Sequence, residues 1–233
     1  MKKGLLILLC FIININFVNA EKIYAEKDVI PNDYYHIDED TIVLDAKTKQ
    51  PVTGLLIMER EHWIPNKIEL PLKNGKMDGI KKQYVDNILD EEVQYKNGKR
   101  TGVQRNYYKN GKLSGEFLNG LDKYYDENGV LYMEEYKTWN GNKEKTLFYY
   151  PNGNLKEETH FETSFGRLYI HPKKHGEAKT YYENGHVKSE LYFNKGIIEK
   201  GFMYGADGKK QKLTDDEIAK LNKEEKDNAA GMK

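Results

Sequence analysis

One recurring turn signature constrains this chain more than any other feature. Within residues 180–193, a strand-forming run containing Tyr181-Tyr182 meets Asn184-Gly185, and a second strand-forming run follows. Asn and Gly both tolerate positive φ, so the pair suits a tight hairpin whose turn follows the twist of the paired strands. Equivalent anchors stand upstream at Asn87, Asn110, Asn128 and Asn152 and downstream at Asp207; Gly follows each except Asn87, where Ile88 stands. Such recurrence marks a repeat architecture in which each unit is one supersecondary element stacked on its neighbours.

Around each anchor the side chains repeat too. Tyrosine pairs precede the turn at Tyr107-Tyr108, Tyr124-Tyr125, Tyr149-Tyr150 and Tyr181-Tyr182. Adjacent strand residues face opposite sides, so each pair places one ring on each face, and stacked units make two aromatic columns. Three residues beyond the anchor stands an aliphatic (Leu113, Leu131, Leu155, Val187), six beyond a glutamate (Glu116, Glu134, Glu158, Glu190), and eight beyond Tyr95, Leu118, Tyr136, His160 or Tyr192. Parity then sets Glu and the later Tyr on one face and the aliphatic on the other. A second turn closes each unit, at Asn97-Gly98, Asn119-Gly120, Asn140-Gly141 and Asn194-Lys195-Gly196. Hairpins joined by hairpins, with no helix between, make an antiparallel meander. The expected fold is all-β: an elongated single-layer antiparallel β-meander of tandem hairpin repeats, with a short C-terminal α-helix.

The remaining segments fit around that array. Residues 21–40 mix charge with Tyr24, Tyr34 and Tyr35 without a period and read as a lead-in segment. Strands are expected at 41–44, 52–58 and 68–72, and Pro65 interrupts between them because it cannot donate to a ladder. The array runs over 41–209. The long interval between Asn152 and Asn184 requires an insertion, placed at 163–176. From 210 to 233 a helix and tail follow, opened by a capping box in which Thr214 accepts from the amide of Glu217.

Composition fits a thin sheet rather than a thick core. Hydrophobic residues make up only 38% and mean hydropathy is −0.83, yet 18 tyrosines rule out the aromatic-poor composition of a disordered chain.

The N-terminus reads as a secretory signal: Lys2 and Lys3 form a positive n-region, residues 5–13 an apolar run, and Val18-Asn19-Ala20 a small-residue cleavage site. The apolar run is shorter than the ~20 residues a spanning helix needs. Leu9 before Cys10 departs from a lipoprotein signal. Export with cleavage near Ala20 is the expected address, periplasmic, cell-envelope or secreted. Losing Lys2 and Lys3 leaves 35 basic residues against 37 acidic, a net charge of −2 that offers no basic stripe for nucleic acid. Cleavage also removes Cys10, the sole cysteine, so the mature chain has no disulfide and no thiolate.

No catalytic constellation emerges. His171 and His175 have a metal-ligand spacing for a helix, but Pro172 and β-like flanks oppose helix and no third ligand stands at a defined spacing. The glutamates recur in nearly every unit, whereas the carboxylate pair of a glycoside hydrolase is used once; a Glu ladder beside Lys is a cross-strand charge pattern. The three serines, Ser114, Ser164 and Ser189, lie in no nucleophile-elbow motif. No phosphate loop or dinucleotide fingerprint is present, and the expectation is no enzyme, no cofactor and no metal.

The string Tyr-Tyr-x-Asn-Gly-x-Leu-x-x-Glu-x-x-Tyr, followed by Asn-Gly-Lys, resembles the bacterial variant of the MORN repeat; the closest instances are 149–158 and 181–193. The resemblance covers roughly 41–209, most clearly from Gly79 onward, and departs at Asn87-Ile88, Asn194-Lys195 and the insertion. It implies a twisted single-layer β-groove that serves as a scaffold or protein-interaction surface, with no shared catalytic residues. It also implies two further readings: an antitoxin-like partner of a toxin and, below it, phospholipid- or glycan-surface binding. The leading expectation is a non-catalytic extracytoplasmic binding or scaffold module. It presents a tyrosine-lined surface to a protein partner in the cell envelope or extracellular space. Candidate binding-surface residues are Trp63, Tyr107, Tyr124, Trp139, Tyr149 and Tyr181. Specificity is expected where the copies disagree, at the tryptophans and the insertion.

Overall fold

The computed structural model describes residues 22–31, 37–59, 65–138, 141–162 and 172–231. The predicted signal segment, Trp63, Trp139 and residues 163–171 of the insertion lie outside them. In order the strands are β1 Ile23–Ala25, β2 Val29–Ile30, β3 Leu44–Asp45, β4 Gly54–Glu59, β5 Lys67–Lys73, β6 Lys76–Met77, β7 Gly79–Val85, β8 Ile88–Lys96 and β9 Lys99–Tyr107. They continue with β10 Leu113–Leu118, β11 Leu121–Tyr125, β12 Leu131–Lys137, β13 Lys143–Tyr149, β14 Leu155–Phe161, β15 Lys174–Tyr181, β16 Val187–Asn194, β17 Ile197–Tyr204 and β18 Lys210–Lys212. Helix α1, Asp215–Gly231, follows.

One 16-stranded sheet carries nearly all of this, in the order β1-β4-β5-β7 and then strictly by sequence to β18, with β6 paired to β5. It does not close into a barrel. The pairing is antiparallel except at the first edge, where β1 lies parallel to β4. The meander is therefore as expected, but the lead-in segment is part of the sheet. β15 also begins at Lys174, inside the expected insertion.

Two kinds of turn join the strands. On the rim carrying the repeat anchors, Gly185 N–H donates to Tyr182 O at 2.9 Å and Tyr182 N–H to His186 O at 2.8 Å. Only the glycine has positive φ there (84°), while Asn184 Oδ1 accepts from His186 N–H at 3.0 Å. This is a type I turn followed by a left-handed glycine, not the two-residue Asn-Gly turn that the sequence pattern predicts. Asparagine is needed for its side-chain acceptor, glycine for its φ. The two-residue form occurs at Asn97-Gly98 (φ 49° and 84°) and Asn119-Gly120 (48° and 83°) on the opposite rim. It occurs too at Asp86-Asn87 (52° and 64°), which accounts for the glycine missing after Asn87.

The longer turn has a consequence for the faces. The anchor-rim hairpins before β17–β18 shift register just after the turn: Leu113 lies opposite Tyr107 but Gly115 lies opposite Asn106, and Leu155 lies opposite Tyr149 but Glu157 opposite Phe148. The extra residue is a β-bulge, which resets parity. Leu113, Leu131, Leu155 and Val187 thus share a face with the tyrosine and glutamate, contrary to the parity argument.

Packing elements cover one face at both ends of the array. At the start, Tyr24, Val29, Ile37, Val43 and Val52 from the lead-in and first loops pack on Leu56, Met58, Ile68, Leu70 and Leu72 to form the main hydrophobic core. At the finish, Ile218 and Leu221 of α1 pack on Ala178, Leu191, Phe193 and Ile198. Leu70 and Leu191 belong to the face opposite Glu69 and Glu190, so both packed ends lie on the same side. The capping box of α1 forms both arms: Thr214 N–H donates to Glu217 Oε2 at 2.8 Å and Glu217 N–H to Thr214 Oγ1 at 3.3 Å.

Candidate binding surface

On the face away from those covers, directly opposed residues form one row across the sheet. It starts Glu69, Lys82, Glu92, Arg105 and Glu116. It continues Lys123, Glu134, Leu147 and Glu158, then Lys179, Glu190, Phe202 and Lys212. The hairpin repeat generates the row from Lys82 to Glu190, because there each glutamate stands on the strand after an anchor turn and each cation on the strand before one; Glu69 and Lys212 extend it at the two ends. Alternation keeps like charges from facing each other. Arg105–Glu116 is 3.3 Å, Lys123–Glu134 3.2 Å and Lys82–Glu92 3.6 Å. Two cation places are apolar, and each is served from nearby. Lys145 reaches Glu158 at 3.8 Å beside Leu147, while Lys210 lies 4.0 Å over the Phe202 ring and 3.1 Å from Glu190.

A tyrosine from the next strand crosses to each of these carboxylates but one. Tyr84 donates to Glu69 at 2.9 Å, Tyr107 to Glu92 at 2.7 Å and Tyr125 to Glu116 at 3.4 Å. Tyr149 donates to Glu134 at 2.9 Å and Tyr204 to Glu190 at 2.7 Å. The sixth position is Tyr181, facing Glu158; among the described residues no carboxylate takes its hydroxyl. Glu158 faces Lys145 and the His160 ring, 3.6 Å away.

Electrostatics follow from these contacts. Burial raises the Tyr84 and Tyr107 phenols, and the adjoining Glu69 and Glu92 add to it, bringing both to about 12. The same two causes, with Glu134 as the acceptor, raise Tyr149. At Glu134, 7% exposed, burial pushes the carboxyl up. The Tyr149, Lys123 and Tyr136 donors outweigh it and hold the group below its usual range. A carboxylate that accepts several donors keeps its charge even when little solvent reaches it.

The second tyrosine of a pair does something else. Tyr108 donates to the carbonyl of Tyr125 at 2.7 Å, Tyr150 to that of Tyr181 at 2.8 Å and Tyr182 to that of Tyr204 at 2.8 Å. These bonds staple one hairpin to the next along the anchor rim. In β11–β12 the equivalent residue is Asp126, whose Oδ1 accepts from Asn128 N–H and Val130 N–H, both at 2.9 Å, within its own turn.

The expected pair Tyr124-Tyr125 is thus offset by one. Tyr125 occupies the ladder, and Tyr124 points to the opposite face, with its ring edge-on to Phe117 at 5.7 Å. Tyr107, Tyr149 and Tyr181 share the ladder face, but they do not stack as an aromatic column. Their neighbours bind lysine over the ring instead, as with Lys145 over Tyr136 at 4.5 Å and Lys200 over Tyr192 at 4.2 Å. Trp63 and Trp139 lie outside the described residues. Of the glutamate partners, the repeat pattern names Glu116, Glu134 and Glu190 but not Glu69 or Glu92; the signal for those two is the 15-residue offset that Tyr84–Glu69 and Tyr107–Glu92 share with Tyr149–Glu134.

His171 is outside the described residues, and His175, exposed in β15, accepts from Lys195 N–H at 3.5 Å. Among the described residues no group of three or more His, Cys, Asp or Glu is placed to hold a metal, and no helix is long and apolar enough to cross a membrane.

An open sheet of stapled hairpins, with a continuous ladder on one face, defines a β-repeat protein. Three segments, residues 100–117, 145–163 and 174–195, match the family described as MORN repeat variant, so the chain carries repeats of that type. These are the hairpins β9–β10, β13–β14 and β15–β16, the three whose turns carry the stapling tyrosine; β11–β12, which carries Asp126, is not among them. Repeats of this type build modules often involved in binding rather than catalysis. Comparison with curated proteins gives no match.

Proposed function

We propose that the chain is an exported, non-catalytic binding module that holds a protein partner of the cell envelope or extracellular space on its ladder face. One observation carries this reading: both packed ends of the array lie on the other face, and among the described residues no apolar cover lies over the row from Glu69 to Lys212. That row offers alternating charge at strand spacing, ~4.8 Å per step, with phenol and aliphatic surface beside it. Such a surface fixes register and excludes wrongly charged partners more than it supplies bulk affinity. Tyr181 adds a hydroxyl that no carboxylate among the described residues takes, at the joint beside the insertion.

Export rests on the signal-like N-terminus. Fractionation of the native host tests it first: the protein belongs with the envelope or medium, and retention in the cytoplasm would refute the address. Affinity capture from envelope extract tests the surface. The chain is expected to retain one partner that a Tyr181→Ala, Lys179→Glu variant loses; equal retention by both would move the contact elsewhere. The antitoxin-like reading has no structural observation in its favour.

A further inference from the structure

Every open sheet must end twice, and the unpaired backbone of an end strand is a template for a further strand. The last long strand here, β17, is only partly covered by β18, which pairs with Phe202, Met203 and Tyr204. Beyond them the edge is closed by the linker and by α1. Leu213 N–H donates to Gly201 O at 3.0 Å. Asn222 then does with its side chain what a neighbouring strand does with its backbone: Ile198 N–H donates to Asn222 Oδ1 at 2.8 Å, and Asn222 Nδ2 donates to Ile198 O at 3.0 Å. Close packing holds the linker in place, since a Cβ at Gly201 would fall 2.6 Å from Leu191 Cδ2 and 2.7 Å from Leu213 Cδ1.

The rest of α1 is attached sparsely. Its apolar contacts are Ile218 and Leu221, and Lys174 adds a 2.8 Å ion pair to Glu225. Meanwhile, among the described residues, the two most exposed large hydrophobic side chains stand near opposite ends of the sheet, Ile23 at 65% in the terminal strand β1 and Ile197 at 61% in β17, next to the short last strand β18. Edge strands of soluble proteins ordinarily avoid such residues.

We propose that the β17 edge is a strand-accepting surface for the β1 edge of a second copy of this chain, and that α1 is the displaceable cover that keeps it closed. Displacing α1 frees the Ile198 amide and carbonyl and uncovers the Ile198, Phe193 and Ala178 side chains. Joining β1 of one copy to β17 of the next is a head-to-tail contact that does not close on itself, so it propagates into chains.

Sedimentation of the chain from residue 21 onward tests this. The unaltered chain is expected to remain monomeric, whereas Leu221→Lys with Asn222→Ala is expected to raise the apparent mass at least about twofold, increasing with concentration. Adding Ile23→Lys to that variant should return it to the monomer. The proposal is overturned if the double variant stays monomeric while keeping its β-sheet circular dichroism, if Ile23→Lys leaves its assemblies intact, or if the unaltered chain assembles equally. Should the double variant lose its β-sheet signal, Asn222→Ala alone carries the test, because it deletes both edge bonds and leaves Ile218 and Leu221 in place.

Discussion

Tyr149 on β13 donates its hydroxyl to the carboxylate of Glu134 on β12 at 2.9 Å, two residues diagonal from the direct partner Leu147. The same carboxylate accepts Tyr136 at 3.1 Å and faces Lys123 at 3.2 Å. In a sheet without a second layer, three donors on one little-exposed carboxylate tie consecutive strands together on the face that has no apolar cover. Tyr149→Phe removes a hydrogen bond to a charged acceptor and should cost about 1.5 kcal/mol in chemical denaturation. Tyr181→Phe, at the equivalent place without a carboxylate partner, should change stability by less than about 0.5 kcal/mol. Equal losses would mean that the ladder bonds contribute nothing specific.

The rim staples make a separate prediction. Tyr150→Phe and Tyr182→Phe each delete one bond to a backbone carbonyl of the next hairpin and should cost about 1 kcal/mol. Since contacts in a repeat array are between neighbours, the amide exchange that accelerates should be confined to the hairpins on either side. Acceleration spread evenly over the array would contradict stapling.

Both signs of pH dependence are built into the ladder. Glu134, Glu69, Glu177 and Glu190 have folded pKa values below their usual range. At Glu177 and Glu190 the leading causes are the Lys179 and Tyr204 hydrogen bonds. At Glu69 and Glu134 burial opposes the shift and the tyrosine and lysine donors prevail. Their contribution is complete above ~4.3, the ordinary glutamate value, and is lost as pH falls through the depressed folded values. For Tyr84 and Tyr107, raised to about 12, the stabilisation is complete below ~10 and is lost as pH rises toward the folded value. Thermal melts across pH should therefore show a plateau with a loss at each end. The alkaline loss should shrink in Tyr84→Phe, Tyr107→Phe, and an unchanged alkaline limb would show that other groups control it.

Reversing one charge tests the row. Lys123→Glu sets acids opposite both Glu116 and Glu134 and should destabilise by about 1 kcal/mol or more at low salt. Added salt should recover part of the loss, because these side chains are partly exposed. A salt-independent loss would trace the effect to packing instead.

Much of the architecture was legible because hairpin chemistry is local. The anchors, the alternating strands and the capping box at Thr214 depend on residues within a few positions of one another. The face assignment of Leu113, Leu131, Leu155 and Val187 was not, since a bulge of one residue inverts parity and Asn-Gly is compatible with turns of two lengths. Tyr124 departs from the pattern for a related reason: its pair stands one residue farther from its anchor than the other three pairs do, and Asp126 fills the place of their second tyrosine. The lead-in segment gave no period because Tyr24, Val29 and Ile37 reach the core from a parallel strand and loops, not from an alternating hairpin. Asn222 was invisible, for its role depends on a strand edge 24 residues away.

Neighbouring positions on opposite faces give the most direct test of the binding surface. A photo-crosslinking phenylalanine analogue is placed, one site at a time, at Tyr181 on the ladder face and at Phe148 and Tyr124 on the other, and the chain is irradiated in its host. The account predicts a discrete partner adduct from position 181 and none from 148 or 124. An adduct from 148 or 124 with none from 181 would contradict it.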